Sequence, residues 1–128
     1  MKTKVTIIVF FSLIIVGLFI IEETYVKNSL FDISEQSKQI IQQIKDDLND
    51  DEIISSLNTA YKSWKDKEYN LCFLYNHKDL LEIGKEINQA KSYIEKANKD
   101  EAYVHMLLLQ EDLQELDQII GFDFCNIF

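Results

Sequence analysis

The chain opens on an unbroken apolar run and then changes its pattern. From Val5 to Ile21 the 17 residues VTIIVFFSLIIVGLFII carry no charge. A helix of this length covers about 25 Å at ~1.5 Å per residue, near the short end of what crosses a bilayer. The run is apolar on every face, unlike the single stripe of a surface helix. Beyond Glu22 the apolar residues recur at steps of three and four, which places them on one helical face. Leu30, Ile33, Ile40, Ile44 and Leu48 form the first such face, with Ser37 filling one slot. Ile53, Leu57, Ala60, Tyr61 and Trp64 form the second. Leu80, Ile83, Ile87, Ala90, Ile94 and Ala97 form the third, and Ala102, Met106, Leu109, Leu113, Leu116 and Ile120 the fourth.

Breaks between these faces are marked by polar residues. Asn49-Asp50-Asp51-Glu52 is a break and restart: Asn49 with Glu52 three residues on fits a capping box, and acids in a first turn suit the helix dipole. Phase is lost around Tyr69 and Asn70, where a turn is expected. Leu71 to Tyr75 has the length of a strand, but no partner strand exists elsewhere in the chain. Asn98-Lys99-Asp100 is a further turn, and Gly121 stands where a helix commonly stops. The last two faces, joined by a short turn, make a long antiparallel hairpin. No glycine occurs between Gly17 and Gly84 and no proline anywhere, so nothing forces a break just after the apolar run. The expected fold is all-α. A transmembrane helix at 5–21 leads into a small antiparallel bundle of about four helices over 22–128.

Composition sharpens the topology. The 128 residues suffice for one domain. The net charge of −9 averages two unlike pieces. Lys2 and Lys4 precede the apolar run, whereas the segment from Glu22 onward holds 11 of the 13 lysines and all 22 acids, about −11. That balance excludes nucleic acid as a partner, because phosphate binding needs clustered positive charge. Lysines just before the run favour a cytoplasmic N-terminus. The expected layout is a cytoplasmic stub at 1–4, a signal-anchor at 5–21 and an extracytoplasmic bundle at 22–128. A cleavable signal is the rival, but IEETYVKNSLFD, the sequence that follows, lacks the small-residue pair that signal cleavage needs.

Few residues suggest chemistry. Counting back from a turn near Lys99, Cys72 and Cys125 fall at one end of a regular hairpin. A disulfide between them and two buried free thiols are both open. His77 and Asp79 are weak metal candidates, since their spacing is unspecific and no second histidine lies at i+4. His105 lies far from His77 along the hairpin, so one site using both is disfavoured. Cys72 with His77 is a conceivable nucleophile pair that lacks an orienting third group. No nucleophile elbow, P-loop, zinc-protease helix or EF-hand loop occurs, so an enzyme is not expected, nor a cofactor. Trp64 is a core anchor or a partner contact. Phe122, Phe124 and Phe128 crowd a terminus that is ordinarily polar, and suggest docking on the bundle, on lipid or in a partner groove.

The short basic start, the single anchor helix, the Trp64 to Lys67 neighbourhood, His77 with Asp79, the long hairpin and the terminal Asn126-Ile127-Phe128 together resemble a bacterial family of unknown function. Its members are small membrane-anchored helical proteins, chiefly from spore-forming Gram-positive bacteria. The resemblance implies an all-α fold and a cell-membrane location, and supplies no activity or catalytic residue. The leading expectation is a membrane-anchored interaction or scaffold protein. Its partners would be the lipid bilayer, another membrane or extracytoplasmic protein, or a second copy of itself. The alternatives are a small-ligand or metal-sensing bundle and a holin-like membrane-active protein.

Overall fold

The computed structural model describes residues 1–73 and 75–127, and side chains as far as residue 119 apart from residue 74. Four helices account for nearly all of it: α1 (Lys2–Lys45), α2 (Asp50–Leu71), α3 (His77–Glu95) and α4 (Lys99–Ile127). No strand occurs among the described residues. The apolar run and the first amphipathic face lie on one continuous helix of 44 residues, as the absence of proline, and of glycine after Gly17, allows. α2 continues through Tyr69 and Asn70 to Leu71, so the chain reverses a few residues later than expected, over 72–76. The described residues of the strand-length run from Leu71, 71–73 and 75, are therefore a helix end and a turn. Gly121 does not stop α4, which continues to Ile127.

Each helix packs on two neighbours: α1 on α2 and α4, and α3 on α2 and α4. The diagonal pairs make no close backbone approach among the described residues. Short turns and cyclic neighbours make this an up-down-up-down four-helix bundle. The faces marked by three- and four-residue spacing point inward. Ile33, Ile53, Leu57, Leu80, Ile83, Ile87, Ile94, Met106 and Leu109 are all almost fully buried. Each such side chain gains about 1.5–3 kcal/mol relative to exposure, and together they offset the entropy of ordering the chain. Trp64 is the largest, at 0% exposure, and its Nε1 donates to the Leu80 carbonyl at 3.2 Å. It offers no surface to a partner. Glu68, on the helical spacing of Tyr61 and Trp64, lies inside, and so do Ser29 and Glu86, which the pattern did not single out.

Both turns at the far end from the apolar run have the same form. Asp47 (φ 54°) and Ala97 (φ 58°) take the left-handed conformation just after α1 and α3. The Asp47 N–H donates to Ile44 O at 3.2 Å and the Leu48 N–H to Gln43 O at 3.1 Å. The Ala97 N–H donates to Ile94 O at 3.0 Å and the Asn98 N–H to Tyr93 O at 2.8 Å. This bonding closes a helix with a residue that is ordinarily glycine. Two expected core residues fall here instead: Leu48 lies beyond the end of α1 and Ala97 is exposed. Asn49, Asn76 and Asn98 cap the following helices, accepting from the N–H of Asp51 (2.9 Å), Lys78 (3.0 Å) and Glu101 (3.2 Å). Lys99 ties the two turns together, with Nζ 2.5 Å from Asp47 Oδ1 and 2.9 Å from the Leu48 carbonyl oxygen.

Candidate functional site

The apolar half of α1 stands apart from the bundle. Every residue from Val5 to Val16 and from Leu18 to Ile21 is exposed, and the most apolar 18-residue window, of mean hydropathy 2.8, buries nothing. An apolar surface of that extent is not stable in water and needs a covering medium. The helix is long and apolar enough to cross a membrane, and a signal sequence near an N-terminus has the same form. Three hydroxyls toward this end are satisfied within the helix. Thr6, Ser12 and Thr24 each donate to the carbonyl four residues back, at 2.9, 2.9 and 2.8 Å. Satisfaction of this kind is what a hydrocarbon solvent demands.

Where α1 enters the bundle, the α2–α3 turn comes alongside it. Asn70 Nδ2 donates to Tyr25 Oη at 3.1 Å, and Lys67 Nζ lies 3.1 Å from Asp32 Oδ2. Tyr69 and Phe73 are strongly exposed here, in an edge-on pair with ring centroids 6.1 Å apart. Cys72 Sγ lies 3.1 Å from His77 Nδ1. The two are brought together because Cys72 ends α2 and His77 begins α3 across the turn. A thiol nucleophile needs a base held by a third group; this pair sits at an exposed turn, with His77 open to solvent.

The count back from Lys99 that set Cys72 at one end of a regular hairpin assumed one unbroken helix. α3 has only 19 residues, about 28 Å, and Cys72 lies beyond its start. Cys125, with Phe122, Phe124 and Phe128, falls outside the described side chains, and so does the proposed disulfide. His77 and Asp79 are both exposed, and no group of three or more His, Cys, Asp or Glu side chains able to hold a metal occurs among the described residues. His105 pairs with Glu86, nine residues along α3 from His77, so the two histidines share no site.

The seam between α3 and α4 carries the strongest electrostatics. His105 Nδ1 lies 2.6 Å from Glu86 Oε2, both largely buried, and the imidazole stacks on Tyr93 with centroids 5.2 Å apart. One turn and more further along α4, Asp112 faces Glu82, Glu86 and Glu115. Burial first, and then the repulsion of these carboxylates and Glu111, push its pKa up to about 6. Sequence spacing set His105 apart from His77 but gave no sign of its partner. Glu86 is one of many acids, and only helix docking selects it. Open grooves of about 440 Å³ between α1 and α4 and about 520 Å³ between α2 and α3 are lined by lysines, amides and isolated apolar groups. Neither encloses a small molecule as a ligand site does.

The most function-bearing surface is thus the apolar half of α1 with the bundle end beside it. No family model, curated protein or solved structure matches the chain.

Proposed function

We propose that this is a single-pass membrane-anchored protein whose bundle serves interaction or scaffolding outside the cytoplasm. The carrying observation is that one helix is fully exposed and apolar over its first half and buried in a polar-surfaced bundle over its second. The first half belongs in hydrocarbon, the second in water. Lys2 and Lys4 on the short side favour a cytoplasmic N-terminus, with residues 22 to 128 outside. The resemblance to small membrane-anchored helical proteins accords with this reading. A packed bundle without a catalytic constellation among its described residues supports a binding role, for another membrane or extracytoplasmic protein or for a second copy. Protease treatment of intact cells tests the topology: the bundle should be digested, and its complete protection would sink the orientation.

A further inference from the structure

The bundle end nearest the apolar helix displays aromatic side chains that the core does not use. Tyr69 is 73% and Phe73 80% exposed. Their height along α1 follows from the contacts between helices. The Asn70–Tyr25 hydrogen bond sets α2 against α1 at that level. Tyr25 is four residues past Ile21, about 6 Å of helix rise. α2 runs antiparallel to α1 and ends at Leu71, so the chain from Asn70 into the turn at Phe73 descends again toward that point. Phe73 thus lies at the bundle end that adjoins the charge-free run. α4 reaches the same height. Gln110 Nε2 donates to the Ser34 carbonyl at 3.1 Å, and α4 continues 17 residues beyond Gln110 to Ile127, whereas Ile21 is 13 residues from Ser34.

We propose that the α2–α3 turn, through Tyr69 and Phe73, rests in the interfacial layer of the same bilayer that α1 crosses. The proposal rests on the anchoring reading above. Aromatic rings favour the headgroup level, where Tyr meets water with its hydroxyl and Phe meets the acyl chains. α1 is one unbroken helix, and no proline or glycine lies between Gly17 and Gly84 to bend it and lift the bundle away. The contact is apolar and aromatic, as the bundle's negative charge gives it no attraction to anionic lipid. Its consequence is a second membrane contact that fixes the tilt of the bundle, so that its other faces meet a partner in one orientation.

The full-length protein in phosphatidylcholine vesicles tests this. Phe73→Trp and Tyr69→Trp each add one indole at an exposed site, above the background of buried Trp64. The added emission should shift to the blue, and lipid brominated near the glycerol end of its chains should quench it roughly twofold or more. Val104→Trp is the control, at a site 46% exposed near the other end of the bundle; acrylamide should quench it and brominated lipid should not. If the indoles at positions 69 and 73 behave like the one at 104, the proposal is overturned. Alkaline carbonate extraction of the same vesicles separates the two readings. Protein that stays in the membrane with water-exposed indoles ends this proposal alone, and protein that is extracted ends the anchoring as well.

Discussion

The two halves of α1 share one backbone and obey opposite rules. Residues up to Ile21 are apolar all round and bury nothing, while Val26, Leu30, Ile33, Ile40 and Ile44 bury one stripe and leave the other face charged. Their hydroxyls differ in the same way. Ser12 donates to Ile8 O at 2.9 Å, whereas Ser37 is buried with no hydrogen-bond partner for its Oγ. The lesson is that helix continuity is a backbone property, set by the absence of breakers, while stability comes from whatever covers each side-chain surface. In one half that is two neighbouring helices, α2 and α4; in the other no part of the described structure covers it.

The sharpest test of this division is a pair of substitutions with opposite consequences. Ile33→Ala, at a site 1% exposed, should cost the bundle about 2–5 kcal/mol in denaturant melts and leave membrane retention unchanged. Ile14→Arg should weaken insertion by about 2.5–3.5 kcal/mol, seen in a membrane partition assay, with the bundle's melt unaltered. A coupled loss in either variant would mean that the halves fold as one unit.

Smaller effects refine the picture. Ser37→Ala removes an unpartnered buried hydroxyl and should stabilise the bundle by about 1 kcal/mol, read from the shift of the denaturant midpoint. A destabilised variant would show that the hydroxyl has a partner such as water. The smallest effect belongs to the α3–α4 seam. Asp112 titrates near 6 in the fold against 3.8 ordinarily, so folding penalises its charged form. Its contribution is most favourable below 3.8 and is lost as pH rises through about 6. Asp112→Asn should therefore stabilise the bundle at pH 7 and flatten the stability profile between those values, by at most about 1 kcal/mol given solvent screening. An unchanged profile would assign the pH dependence elsewhere.

Much of this was legible in advance, and the failures have identifiable causes. Three- and four-residue spacing located the core of each helix, because burial on one face is the main reason such spacing exists. It overran at Leu48 and Ala97, where the period continues past the point at which the backbone turns left-handed. A turn without glycine is nearly silent in sequence. The α2–α3 reversal was misplaced by a few residues because Leu71, Cys72 and Phe73 are apolar, though only Leu71 is buried, Cys72 packs on the core edge and Phe73 is exposed. The chemistry-bearing contacts were less legible still. Cys72 with His77 was a short-range pairing that could be guessed, whereas Glu86 with His105 joins two helices.

The sequence by itself determined the helical class, the apolar segment and most of the apolar residues that face inward, because these follow from local propensity and period. Tertiary structure alone decided the cyclic order of the helices, the choice of Glu86 among 22 acids and the placing of Asn70, at the end of α2, beside Tyr25. Those depend on the register between helices, which is fixed by side chains far apart in the chain and leaves no periodic trace within any one helix.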